Sequence, residues 1–313
     1  KLDELGVRKN TIVIYLNDNG PNSMRYVGDM RGMKTHVDDG GVRSPLVFHW
    51  PAKVKALKTS DELCAHIDLM PTILDACGVA MPAKVKIDGR SFLSLLTGKK
   101  NSWPKRQVVI QTHRGNVPQL YHHFALHEEP WKLVHPTGFG KEQFIGEPKL
   151  ELYDLGKDPY QKNNVAAQHP KVFQRLKKSY ENWFADVSSS RPDNYAPPRI
   201  VIGTKHESRS VLTRQDWRHA AGRPWGRDSN GYWLLESLKP DKYEVELIFK
   251  EEHPAGQAII TAGKTRKKLS LVAKQKRGHG VTMALPAGRF KFSVEAIFNG
   301  KTQGPHQVIL KVQ

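Results

Sequence analysis

The chain has 313 residues, 38% hydrophobic and 26% charged, with a formal net charge of +18. That balance excludes a disordered or low-complexity protein and allows more than one hydrophobic core. No apolar run approaches the roughly 20 residues of a membrane-spanning helix. The charge favours polyanions such as nucleic acid, anionic surfaces or sulfated glycans. No RRM, KH, zinc-finger or helix-turn-helix signature supports nucleic acid. The excess is largest in residues 198–313, with 21 Lys/Arg against 10 Asp/Glu. The chain starts at Lys1 without a Met or a charged-then-apolar leader, and Asp3 to Thr11 reads as the middle of a domain. An N-terminal part, including any signal peptide, is therefore expected to precede it.

Residues 11–16 and 45–50 are short β-branched runs ended by turn chemistry, the pattern of buried strands. Ser60 is expected to open a helix with Leu63, Ile67, Met70, Ile73 and Leu74 on one face, closed by Gly78. Pro71 inside that pattern predicts a kink or two abutting helices. Cys64 and Cys77 fall thirteen apart on this helix, too far for a disulfide and in no C-x-x-C pattern, so both are expected as buried apolar side chains. Asp88-Gly89-Arg90-Ser91 turns into a short helix, Phe92 to Leu96, stopped by Gly98. Residues 107–155 read as an antiparallel unit with strands at 108–110, 121–126, 131–134 and 150–153. On the strand at 121–126, His122 and His123 would face opposite sides and could not share a ligand. An amphipathic helix is predicted over 170–187, with Val172, Leu176, Tyr180, Trp183 and Phe184 inward. Residues 188–198 are the clearest linker. Beyond it, period-two strands at 243–249, 268–272, 290–298 and 308–312 predict a small β-sandwich.

Candidate chemistry concentrates between Thr11 and Pro51. The first strand ends in Asn17-Asp18-Asn19-Gly20, Lys34 follows on a loop, and Gly40-Gly41 precedes the second strand. In open α/β sheets, ligands bind at the carboxyl ends of strands. Asp18 and Asn19 offer hard oxygens suited to Ca²⁺ or Mg²⁺ rather than Zn²⁺. Lys34 supplies a point charge for an anion, and His36 is close enough in sequence to reach the same anion. Gly20 permits a sharp turn, and Gly40-Gly41 a close approach to the anion or to the strand behind it.

These segments, T-I-V-I-Y-L-N-D-N-G-P, R-G-M-K-x-x-x-x-D-G-G-V-R-S-P, H-I-D-L-M-P-T-I-L-D-A-C-G-V and D-G-R-S-F-L-S-L-L-T-G, resemble the C-terminal half of type I, formylglycine-dependent sulfatases. The tract L-Y-D-L-G-K-D-P-Y-Q-K-N-N-V is similar to the family's run before its last helix. The likeness covers about residues 8–187. Residues 205–313 resemble, more weakly, the accessory β-domain of some bacterial sulfatases. The resemblance implies an alkaline-phosphatase-like α/β core, calcium, and hydrolysis of a sulfate monoester through an enzyme-bound sulfate. Asp18 and Asn19 match one pair of calcium ligands, and Lys34 matches the lysine that contacts sulfate. Asp39 stands where the family usually has Glu and is expected to brace the loop. Neither Cys64 nor Cys77 stands in the family's nucleophile motif C/S-x-P-x-R, and a second acidic calcium pair and the Lys and His that flank the nucleophile are missing. Formylglycine is therefore expected in a part not included here, and this chain alone is expected to be inactive.

The expected organisation is residues 1–106 as the C-terminal portion of the α/β core, 107–187 as an antiparallel sheet with a helix, 188–198 as linker and 199–313 as the β-sandwich. His113-Arg114, after the strand at 108–112, are candidates for binding a sugar sulfate or carboxylate at the cleft rim. His66 reads as a packed core histidine. Trp217, Trp225 and Trp233, near Arg218, Arg223 and Arg227, read as sandwich packing in preference to a glycan platform. The substrate implied is sulfated carbohydrate and the compartment periplasmic or secreted. The alternatives are a phosphatase or phosphodiesterase of the same superfold, disfavoured because Asn19 stands where a zinc site wants histidine, and a non-catalytic glycan-binding protein.

Overall fold

The computed structural model describes residues 1–23, 25–55, 59–98, 103–112, 117–136, 145–190, 197–221, 226 and 229–313. It divides into two compact units, Lys1–Ala196 and Pro197–Gln313. The first combines helices and sheets, the second is built of strands, and together they make an α/β chain with a β-rich C-terminal portion.

In the first unit, β1 (Val13–Leu16) and β2 (Leu46–His49) form a two-stranded antiparallel ribbon, with Val13 opposite His49 and Leu16 opposite Leu46. The expectation of buried strands is corrected here. Tyr15 is 60% and Val47 56% exposed, because no other described strand extends this sheet and two strands alone cannot cover both faces. Between them lies the one-turn α1 (Asp39–Val42).

The helix expected from Ser60 begins later. A 3₁₀ turn, His66–Asp68, leads into α2 (Leu69–Ala76). Pro71 lies in the first turn of α2, where its missing N–H costs no helical bond, so it neither kinks nor divides the helix. Cys64 therefore precedes the helix. Both cysteines are free, Cys77 is exposed and Cys64 half-buried, which corrects the expectation of two buried thiols. α3 (Leu93–Thr97) is closed by Gly98 in the left-handed region, at φ +73°.

Four antiparallel strands follow in chain order: β3 (Val108–Gln111), β4 (Phe124–Glu128), β5 (Trp131–His135) and β6 (Glu151–Asp154). Alternation sorts their side chains to two faces. Phe124, Leu126, Leu133 and Leu152 pack against Leu176 and Tyr180 of α4 (Pro170–Ser189). Tyr180 stacks on Phe124 with ring centroids 3.5 Å apart. Ala125, Val134 and Tyr153 on the other face cluster with Val37. The sheet thus carries a helix on one side and the 31–42 segment on the other. His122 and His123 lie before β4 rather than on it. Both are buried, and His123 has φ +46°, so strand alternation does not apply to them.

The second unit contains β7 (Ile200–Ile202), β8 (Arg209–Thr213), β9 (Arg218–Ala221), β10 (Asn230–Ser237), β11 (Asp241–Ile248), β12 (Gly256–Ala262), β13 (Thr265–Leu271), β14 (His279–Leu285), β15 (Gly288–Phe298), β16 (Lys301–Gln303) and β17 (Gln307–Val312). One sheet runs β13-β12-β15-β10-β7, with β9 and β16 paired at its side, and the other runs β14-β11-β17-β8. Leu235, Ile260, Phe292 and Val294 of the first share one apolar core with Leu212, Val245, Leu247 and Leu310 of the second. Trp217 and Trp233 belong to that core, with ring centroids 5.6 Å apart. Trp225, Arg223 and Arg227 lie outside the described residues. Among the described residues, no helix is long and apolar enough to cross a membrane.

Candidate functional site

The turn Asn17-Asp18-Asn19-Gly20 leaves the end of β1 and is laced by its backbone to the segment before β2. Gly20 N donates to Gly41 O at 2.8 Å, Lys34 N to Pro21 O at 2.9 Å, and Ser44 Oγ to Asn17 O at 2.7 Å. The glycines are set by this contact. A Cβ on Gly20 would lie 1.9 Å from Gly40 O, and one on Gly41 would lie 2.3 Å from His36 O. The approach they permit is backbone to backbone.

The expected ligands are accessible. Asp18 and Lys34 are exposed, and Asn19 and His36 are half-buried. Between Lys34 and His36, Thr35 has φ +83°, a conformation that a β-branched residue rarely adopts. His123 Nε2 donates to Thr35 O at 2.8 Å. Burial pushes the His123 imidazole below its ordinary pKa, with the bond to Thr35 opposing.

Below the loop lie two acids. Asp39 forms an ion pair with Lys132 of β5, which is 1% exposed, and its N–H donates to Gln161 Oε1 at 2.9 Å. This is how Asp39 braces the loop. Asp38 is 2% exposed and lies 3.5 Å from Arg31 Nε. Burial pushes the Asp38 carboxyl above its ordinary range, and Arg31 partly offsets that. Arg31 also bonds Glu151 at 3.1 Å and the Tyr153 hydroxyl, tying the loop to β6. The sequence reading missed Lys132, Arg31 and Asp38. For Lys132 a signal existed: in W-K-L-V-H, alternation puts the lysine on the face of Val134.

Elsewhere the quoted motifs are structural. Asp68 is fully buried and accepts bonds from Arg106 Nη1 at 2.7 Å, Ala65 N at 2.8 Å and Arg90 N at 2.8 Å. Thr72 Oγ1 donates to Asp68 O and accepts from Phe92 N at 3.0 Å. His66, expected in the core, is exposed because the 3₁₀ turn directs Asp68 inward instead. His113 and Arg114 lie outside the described residues.

Asp18 and Asn19 provide two hard oxygens, whereas calcium takes six to eight. Among the described residues, no group of three His, Cys, Asp or Glu side chains converges as a metal site. The donor chemistry fits calcium, and the set is partial.

Residues 32–186 match the family model described as N-sulphoglucosamine sulphohydrolase, C-terminal. The chain is 30% identical over 201 residues to an N-acetylgalactosamine-6-O-sulfatase of Bacteroides thetaiotaomicron, covering 58% of this chain and 38% of that protein. It is 30% identical over 199 residues to human arylsulfatase A, covering 56% and 38%. A solved structure from work on glycosaminoglycan metabolism by B. thetaiotaomicron aligns at 29% identity and TM-score 0.47, covering 58% of this chain and 40% of that one. The chain thus spans about two fifths of the length of these relatives.

Proposed function

We propose that the chain, whose residues 32–186 match a sulphohydrolase C-terminal family model, is the C-terminal part of a sulfatase and so part of a sulfuric ester hydrolase acting on sulfated carbohydrate. The observation that carries this reading is the lacing of the Asp18-Asn19 turn to the loop bearing Lys34, through Gly20–Gly41 and Lys34–Pro21 bonds. It holds the two segments that carry two oxygen donors and a cation against each other. Relatives named N-acetylglucosamine-6-O-sulfatase and ulvan-active sulfatase support a carbohydrate ester. Activity on such polymers in turn favours a periplasmic or secreted protein.

In this reading Asp18 and Asn19 hold calcium, which when bound supplies positive charge for the sulfuryl oxygens. Lys34 contacts the sulfate and stabilises the charge that develops on it. His36, on the same turn, and His113 with Arg114 contact the sugar or its sulfate. Thr35 fixes the direction in which its two neighbours leave the backbone. Neither cysteine stands in C/S-x-P-x-R. The run Ser102-Trp103-Pro104-Lys105-Arg106 matches it literally, but its Arg106 is buried in an ion pair with Asp68 at 2.7 Å, and the formylglycine nucleophile is assigned to a segment outside the 313 residues. The 313 residues alone are then inactive.

The test uses the full-length protein, an aryl sulfate, and an aryl phosphate as control. Asp18→Ala should lose calcium and nearly all turnover, and Lys34→Ala should lower kcat about 10²–10³-fold. Wild-type turnover and calcium content in Asp18→Ala would sink the assignment, and preference for the phosphate would favour the phosphatase alternative.

A further inference from the structure

The strongest charge concentration of the second unit lies at one sheet edge. Between 264 and 277 the chain reads K-T-R-K-K-L-S-L-V-A-K-Q-K-R, seven basic residues without an acidic one. Lys264 belongs to the turn between β12 and β13. Arg266, Lys267 and Lys268 are on β13, the last strand of its sheet, and Lys274, Lys276 and Arg277 are on the loop after it. All seven are exposed. The ion pairs of this unit among the described residues, Lys239–Asp241 and Arg289–Glu236, include none of them.

These cations are held on ordered backbone. β13 is paired with β12 along its whole length, from Thr265 opposite Ala262 to Leu271 opposite Gly256. Arg266 and Lys268 share a face about 7 Å apart, and Lys267 points to the other side. The following loop is pinned twice: Lys274 N donates to His253 O at 2.8 Å, and Phe249 N donates to Lys276 O at 2.9 Å. Binding through such groups costs less ordering of the chain than binding through a mobile basic tail. Lysine on an edge strand also discourages pairing with other sheets, but that role requires no cations in the loop beyond the strand.

We propose that β13 and the 272–278 loop form a binding strip for sulfated polysaccharide, separate from the Asp18–Lys34 turn. The choice of polymer rests on the sulfatase reading of the first unit: a chain bearing many sulfates would be retained by the strip while individual esters are processed. Single-stranded nucleic acid is disfavoured because the segment has no aromatic side chain on which bases could stack.

The test measures binding of the full-length protein to dextran sulfate at about 0.15 M salt, where exposed charges are screened beyond roughly 8 Å. Arg266→Gln, Lys267→Gln and Lys268→Gln are combined in one variant. Arg209→Gln, Lys242→Gln and Lys311→Gln, from the other sheet, form a second variant with the same loss of charge. Thermal melts establish that both fold. The strip variant should lose at least tenfold in affinity and the control variant less than threefold, with no binding to uncharged dextran. Equal losses in the two variants, no loss in the strip variant, or displacement of dextran sulfate by less duplex DNA than sulfated polymer would each overturn the proposal. The sulfatase reading is tested apart, on wild-type protein with the aryl sulfate. A protein without turnover that still shows strip-dependent binding keeps this surface and loses that reading. One that hydrolyses the ester but binds equally in both variants loses this surface alone.

Discussion

At the residue scale, the charges that hold the candidate site differ from those that present it. Asp18 and Lys34 are exposed, so their substitution should cost function and little stability. Lys132 and Asp39 are an ion pair taken almost wholly out of water. Removing one partner of such a pair leaves an uncompensated charge and typically costs 3–5 kcal/mol. Lys132→Met should destabilise the first unit by about that amount, and Lys132→Met with Asp39→Asn by clearly less. Urea denaturation of both variants checks this, and equal losses would mean that the pair is not coupled. Asp18, Asn19 and Lys34 could be named as candidates because turn chemistry after an apolar run is local in sequence. Asp39–Lys132 spans 93 residues, and a pairing over that distance leaves no spacing to read. His66 shows the same limit: it was read as a core residue from its place on the expected helix, whereas the 3₁₀ turn before α2 buries Asp68 and leaves His66 outside.

At the element scale, the four-stranded sheet is the support of the site loop, and its histidines make that support sensitive to acid. Burial, reinforced by Lys132, lowers the His127 pKa from 6.5 to about 4. Burial also lowers His123 and His135. A histidine with a depressed folded pKa binds more protons when unfolded. Its contribution is therefore complete above pH 6.5 and is lost as pH falls toward the folded value, about 4 for His127. Asp38, pushed up by burial, works in the opposite sense, so the net slope is set by the histidines only above the carboxylate range. The urea midpoint of the first unit should fall as pH drops from 6.5 to about 5, above the ordinary carboxylate range, and His127→Gln should flatten that fall. An unchanged slope in the variant would show that His127 is not the group responsible. The sheet and α4 were readable because their apolar periods are long and regular. The buried character assigned to β1 and β2 was not met, since burial is a property of neighbours. The start of α2 was missed because Pro71 fits a first turn as well as a break.

At the scale of the whole molecule, the two units differ in how completely they cover their own apolar surface. The second holds a core shared between two sheets, with Trp233, Leu235, Phe292, Val294 and Leu310 all at 0% exposure. Among the described residues its exposed large hydrophobics are Val201, Val211, Leu238 and Val272, scattered singly. The first unit exposes many more, including Val13, Tyr15, Leu16, Leu46 and Val47 on the β1–β2 ribbon and Met70 and Ile73 on α2. Contiguous apolar surface of that kind drives association, and an open ribbon adds unpaired backbone groups. Residues 197–313 alone should therefore be soluble and monomeric and should melt in one cooperative transition. The 313-residue chain should bind a hydrophobic dye in its native state and self-associate at concentrations where the second unit stays monomeric. Light scattering and dye fluorescence on the two proteins, side by side, provide the check. A soluble, dye-silent 313-residue chain would mean that the ribbon is covered in solution. Aggregation of 197–313 alone would instead mean that the shared core is insufficient for independent folding.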